Sequence, residues 1–199
     1  MRSLRVGFDV DEVLYPWVAT LRHHLHTSEG WPLDRMPEPT RYGFGPDWGM
    51  ADDAEFLAHA VATARAGLLH TYGDPLEGAA EVTHRLVDAG HTVHVVTARR
   101  YDESYGVNAV LADSTRRWLE RHDIAFTTLD LELDKTAVPT DVYLDDRPDH
   151  VDALCAAGTR GVLMDSFHNQ DPSCGRERVH SLAEFADLVE EMSANPATC

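Results

Sequence analysis

Two stretches of this chain run apolar and then stop at paired carboxylates: Leu4 to Val10, closing on Asp9 and Asp11, and Val142-Tyr143-Leu144, closing on Asp145-Asp146. A strand that is apolar at nearly every position has both faces buried, as in a parallel sheet covered by helices. The later chain supplies the covers. Pro75 opens a helical pattern through Ala79, Val82, Leu86 and Val87, and Gly90 closes it. His91 to Thr97 then reads as a strand, Ala109 to His122 as a helix, and Ile124 to Leu131 as a strand. After Val142 to Leu144 come a helix from Pro148 to Ala157, a strand from Arg160 to Met164 and a closing helix from Leu182 to Met192. This alternation predicts an α/β fold, a doubly wound parallel sheet with right-handed crossovers.

One segment breaks the alternation. Leu14, Trp17, Val18, Leu21 and Leu25 have helical spacing up to His26. Gly30 to Met50 is rich in Pro, Gly and aromatics, read as a long loop, ordered or disordered. Asp52 or Asp53 can cap a further helix that runs to about Ala66. The expected organisation is a core of residues 1–14 and 73–199, interrupted by a small, mostly helical lid at 15–72.

The 199 residues carry a net charge of −17. That field repels nucleic-acid phosphates, so no stable nucleic-acid complex is expected. It also repels a small phosphate ester unless a bound cation reverses the sign locally. No apolar run approaches the ~20 residues of a membrane span. The three cysteines, Cys155, Cys174 and Cys199, are far apart and form no metal or disulfide pattern, which fits a cytoplasmic protein. Cys155 reads as a small apolar residue on a buried helix face.

Four features fall at or just after the ends of the expected strands: Asp9-Val10-Asp11, Thr97, Lys135 and Asp145-Asp146. That edge of an open α/β sheet is where ligands bind. A carboxylate there can attack phosphorus, and a second can protonate the leaving oxygen and then take a proton from water. Four carboxylates together repel one another unless a cation sits among them, and an oxygen-lined site suits Mg2+. Thr97 can donate to a phosphoryl oxygen, and Lys135 supplies a compact positive charge.

Phe8-Asp9-Val10-Asp11-Glu12-Val13-Leu14, Val95-Val96-Thr97, Lys135 and Tyr143-Leu144-Asp145-Asp146 resemble the four motifs of the haloacid dehalogenase superfamily. The resemblance implies a Rossmann-like core with a cap inserted after strand one, Asp9 as nucleophile, and Asp11 as general acid and base. It further implies Mg2+ on the Asp9 carboxylate, the Asp11 main-chain oxygen and one of Asp145 and Asp146. Within the superfamily, Asp145-Asp146-Arg147-Pro148 and Met164-Asp165-Ser166-Phe167-His168-Asn169 look most like the 5'(3')-deoxyribonucleotidases, which implies a nucleotide substrate and an aromatic near Trp17 against the base. The candidate substrate contacts are Thr97, Ala98, Arg99 and Lys135, with Trp17, Phe44 and Trp48 of the lid.

Two positions depart from the pattern. Glu12 stands where these phosphatases usually have Gly, and Thr97-Ala98-Arg99-Arg100 carries a Thr-x-Arg seen in polynucleotide 3'-phosphatases. The rival readings are therefore a phosphatase of a polynucleotide 3' end or a sugar phosphate, and a silent Mg2+-binding module. A monomer or homodimer fits either. Trp17, Trp31, Tyr42, Phe44 and Trp48 can form a stacking pocket or merely the lid's own core. His23, His24 and His26 point to different sides of a helix and read as a solvated face.

Overall fold

The computed structural model describes residues 2–67, 72–170 and 175–195. Cys174, Cys199 and positions 68–71 of the proposed lid lie outside the described residues. The first apolar run lies innermost. Strand β1 (Arg5–Phe8) pairs in parallel with β2 (Thr92–Thr97) on one side and β4 (Val142–Asp145) on the other. β3 (Thr128–Leu131) lies outside β2, and β5 (Arg160–Met164) and β6 (Arg178–Val179) outside β4, giving the order β3-β2-β1-β4-β5-β6. The chain winds outward from β1 one way and returns at β4 to wind the other way. The switch point lies beside β1, where a ligand crevice is expected beyond the carboxyl ends.

Helices cover both faces. α3 (Ala79–Asp88), α4 (Asn108–Arg121) and α6 (Leu182–Ala194) send Val82, Leu86, Trp118, Leu119, Phe185 and Val189 into the main core against Val6, Phe8, Leu144 and Val162. α5 (Pro148–Ala156) covers the other face, with Leu154 on Val96 and Tyr143. Separate from these is a cluster built by α1 (Trp17–Glu29) and the residues after it: Val18, Leu21, Leu25, Trp31, Met36, Phe44, Trp48 and Met50. α2 (Asp53–Arg65) packs Val61 and Ala64 on Val107 and on Leu111 of α4.

The long Gly30–Met50 stretch is ordered. It holds two single 3-10 turns, Leu33–Arg35 and Gly45–Trp48. Arg35 lies 3.5 Å over the Trp31 ring and donates to Trp48 O, while the Trp48 indole donates to Pro37 O at 2.9 Å. Asp52 is the cap of α2, accepting from Glu55 N at 2.9 Å as Glu55 accepts from Ala51 N.

Several boundaries differ from the sequence expectation. α1 starts at Trp17, three residues late, because Leu14 and Tyr15 turn back to donate to Val10 O and Pro16 precedes the first turn. β3 starts at Thr128, since Asp123 takes a φ of 55° and Ala125 N turns to Thr83 Oγ1. β6 was not anticipated; two residues carry no periodicity to read. Cys155 is exposed, not buried: α5 buries Val151 and Leu154, and the next residue is rotated about 100° away from that face. Of the histidines, His23 meets the Tyr72 hydroxyl at 2.8 Å and His26 meets Trp31 O at 2.7 Å.

Gly7 shows how tightly the central strands are set. Tyr143, its register partner on β4, lays its ring across β1, so a Cβ at Gly7 would lie 2.1 Å from the ring. The Tyr143 hydroxyl thereby reaches Val96 O on β2, at 2.5 Å. Gly7→Ala is expected to destabilise the fold by about 1–3 kcal/mol through overpacking, read as a lower denaturant midpoint.

Candidate active site

Asp9 ends β1 with its amide on Leu144 O at 3.0 Å and its side chain buried. Lys135, in the short turn Lys135–Ala137 after β3, places Nζ 2.7 Å from Asp9 Oδ1 and 2.5 Å from Val96 O, with 1% of its side chain exposed. The turn is fixed by Asp134, whose carboxylate accepts from Thr136 N. Asp145 and Asp146 end β4, both buried. Oxygens of Asp9, Asp145 and Asp146 lie within 4.8 Å of one another.

Each member of the β4 pair has its own support. Asp145 accepts from Arg147 N at 2.9 Å and meets His150 Nδ1 at 3.1 Å. Asp146 meets His168 Nε2 at 3.2 Å, and its carbonyl accepts from the Asn169 side chain at 2.7 Å. Arg147 itself forks onto Asp149.

Burial raises the pKa of Asp145, with the Asp9 charge adding to it and His150 opposing it. Asp146 is pushed well up by burial and by the charges of Asp145, Asp9, Glu12 and Asp11. Burial also raises Asp11, against the pull of Arg99. His150 is raised because its Asp145 partner outweighs burial, whereas burial lowers His168. Three buried carboxylates of oxygen-only chemistry, held within 4.8 Å of one another, fit a hard divalent cation.

Asp11 sits one step further out. Its carboxylate is forked by Arg99, with Nε 3.0 Å and Nη2 2.5 Å from Oδ1. Glu12 has a φ of 55°, a left-handed conformation usual for Gly. Its carboxylate does not join the metal group; Oε1 accepts from Val18 N at 2.8 Å, capping α1 where Pro16 offers no side-chain cap. Burial lifts the Glu12 carboxyl to about 7, against the Val18 amide.

A cavity of about 570 Å³ opens over these groups. Asp9, Asp11, Arg99 and Asp146 line it together with the apolar residues Trp17, Phe44, Phe56 and Leu57. Trp17 lies 6.3 Å from Phe44 and 5.8 Å from Phe56, centroid to centroid. Tyr42 also lines the cavity, its ring 5.0 Å from His168 and 4.9 Å from the Arg147 guanidinium.

The placement separates the sequence candidates. Asp9, Asp11, Trp17, Phe44, Ala98, Arg99 and Asp146 line the cavity. Lys135 and Asp145 sit behind Asp9, reaching the site through contacts rather than as wall. Thr97 is fully buried, its hydroxyl accepting from Arg99 N at 3.3 Å. Trp48 does not line the cavity: it is fully buried in the cluster built by α1 and the residues after it, with its indole N–H committed to Pro37, so it is core and not a substrate wall. The sequence reading missed Phe56, Tyr101 and His150 as wall residues. His150 was the readable one, two residues past Pro148 in the first turn of the helix after the paired carboxylates.

Asp146→Asn is expected to stabilise the metal-free protein by roughly 1–2 kcal/mol, since it removes one of the crowded buried charges. If the acidic group holds Mg2+, the ion should raise the Tm of the unmodified protein and raise that of Asp146→Asn less, read by calorimetry with Mg2+ and with EDTA.

Three comparisons bear on this geometry. The family model described as "5' nucleotidase, deoxy (Pyrimidine), cytosolic type C protein" matches residues 2–195. A Chlorobaculum tepidum protein named "Putative 5'(3')-deoxyribonucleotidase" is 26% identical over 169 residues, 84% of this chain and 82% of that one. Among solved structures, a "predicted phosphatase" from Clostridium acetobutylicum superposes with a TM-score of 0.66 at 14% identity, covering 96% of this chain and all of the other. A haloacid dehalogenase-like hydrolase from Streptococcus pneumoniae does so with a TM-score of 0.61 at 11% identity, covering 94% and 98%. Those two likenesses are of fold.

Proposed function

This chain belongs to the 5' nucleotidase, deoxy (pyrimidine), cytosolic type C family, and on that premise we propose that it is a Mg2+-dependent phosphatase that hydrolyses nucleoside or deoxynucleoside monophosphates through an aspartyl phosphate on Asp9. The observation that carries the reading is the cavity itself, which is lined both by Asp9, Asp11 and Asp146 and by the aromatic residues Trp17, Phe44 and Phe56. The carboxylates suit a cation and a phosphoryl group, and aromatic rings suit stacking with a base.

In the first displacement a carboxylate oxygen of Asp9 bonds to phosphorus as the bond to the ester oxygen breaks, and that oxygen takes the proton of Asp11. In the second, Asp11 takes a proton from water as the water oxygen bonds to phosphorus. The Asp9–phosphorus bond breaks, leaving inorganic phosphate and free Asp9. Lys135 holds the Asp9 carboxylate and offsets its charge. Burial raises the Asp11 carboxyl against the pull of Arg99, which favours the protonated form that the first displacement uses. Thr97 sets the loop that carries Ala98 and Arg99. Asp9, the Asp11 main-chain oxygen and one of Asp145 and Asp146 would hold Mg2+, which would supply positive charge to offset the phosphoryl oxygens.

Residues 15–72 act in this reading as a lid. Trp17, Phe44 and Phe56 belong to it, and Tyr42 clasps it to Arg147 and His168 of the core. Lid closure keeps water out until the leaving group has departed. Glu12, the departure that favoured a silent module, is occupied in capping α1 and leaves the acidic group intact. The Cys usage and the family's description both suit a cytoplasmic enzyme, a monomer or homodimer.

Phosphate release should require Mg2+, stop with EDTA, and fall at least about 1000-fold in Asp9→Asn. Across nucleoside 5'- and 3'-monophosphates, sugar phosphates and a 3'-phosphorylated oligonucleotide, the nucleoside monophosphates should rank first; if the oligonucleotide or a sugar phosphate does, the substrate assignment is wrong. Phe56→Ala should raise KM for the preferred nucleotide about tenfold through lost stacking, with a smaller change for a sugar phosphate.

A further inference from the structure

Arg99 entered as a substrate contact, yet each of its three guanidinium nitrogens already has a partner within the protein. Nε lies 3.0 and 3.2 Å from the two Asp11 oxygens and Nη2 lies 2.5 Å from Oδ1. Nη1 donates to Thr115 Oγ1 of α4 at 3.2 Å, and Cζ stands 4.6 Å from the Tyr15 ring centroid. Only 2% of the side chain is exposed. Thr115 and Tyr15 are themselves fully buried. Committed to Asp11 and Thr115 and almost wholly buried, this guanidinium has little surface left to offer a substrate phosphate.

We infer that Arg99 is a positioning residue that acts through Asp11, clamping the carboxyl group where the departing ester oxygen meets it. The inference rests on the phosphatase reading above. The clamp is anchored by two fully buried groups, Thr115 from α4 and the Tyr15 ring at the entry to the lid segment. The Tyr15 hydroxyl donates at 2.6 Å to Tyr72 O, on the chain's way back from that segment. A planar guanidinium touching both carboxylate oxygens fixes the group's orientation, which a single ammonium does not. The same clamp holds Asp11 for its second task, taking the proton from water.

A role on the leaving group has a signature that a general structural role lacks. An alkoxide leaving from a nucleoside monophosphate needs the acid's proton, whereas 4-nitrophenolate departs without it. kcat/KM reports the steps through leaving-group departure. Arg99→Met should therefore lose about 100-fold in kcat/KM on the preferred nucleotide and at least tenfold less than that on 4-nitrophenyl phosphate. Competitive inhibition by inorganic phosphate should weaken by no more than about threefold. Arg99→Lys should recover little of the loss, and Thr115→Val, which removes one anchor and keeps the charge, should show the same leaving-group dependence in weaker form.

Equal losses on both substrates, together with much weaker phosphate inhibition, would mean that Arg99 binds the phosphoryl group, and the inference falls. It falls equally if neither Arg99→Met nor Thr115→Val shows any leaving-group dependence. Should Arg99→Met fail to fold, as judged by its circular dichroism melt, Thr115→Val decides alone. The phosphatase reading is tested separately in the same assay: if the unmodified protein gives no phosphate release that Asp9→Asn abolishes, that reading fails first.

Discussion

Asp9, Asp11, Asp145 and Asp146 meet at one end of a buried sheet, where like charges sit within a few ångströms and little water screens them. Lys135 meets this crowding directly, with its ammonium 2.7 Å from Asp9 and nearly all of its side chain buried. Arg99 does the same for Asp11. His150 and His168 stand against Asp145 and Asp146, and burial together with neighbouring charge still raises both of those carboxyls. The positive charge contributed by the chain leaves room for a cation, which is why oxygen-only donors at this spacing suit a hard divalent ion. In a chain of net charge −17, a local positive charge is also the condition for an anionic substrate to approach at all.

The support for this arrangement runs through the sheet. Gly7 has no side chain, so the Tyr143 ring crosses β1 and its hydroxyl meets the Val96 carbonyl, which also accepts from Lys135. One missing methyl group thus bears on where the ammonium sits. On the other side of Asp9, Glu12 accepts a left-handed backbone and ties the first turn of α1 to the loop that follows Asp9. The aromatic and the acidic residues of the cavity are joined by that short connection. A change in the setting of α1 moves Trp17 relative to Asp11.

The motif residues were legible because strand ends can be read from where apolar runs stop, and a parallel sheet brings such ends together whatever their separation in the chain. Asp9 and Lys135 are 126 positions apart and in contact. The parallel α/β class followed from strands with no polar face, and the break in alternation after β1 marked the segment that carries the aromatics. Less legible were the boundaries set by single contacts, such as the late start of α1 after Pro16 and of β3 after Asp123, and the two-residue β6.

The sequence by itself determined the class of fold and the place of the candidate carboxylates and ammonium at its carboxyl edge, because these depend on residue type and on periodicity along the chain. Only the tertiary structure decided which way each side chain turns. It put Arg99 on Asp11, Glu12 on the α1 amide, Trp48 into the cluster around α1 with its indole on Pro37, and Phe56 and His150 into the cavity wall. Side-chain direction is fixed by partners distant in sequence, and a one-dimensional pattern does not name them.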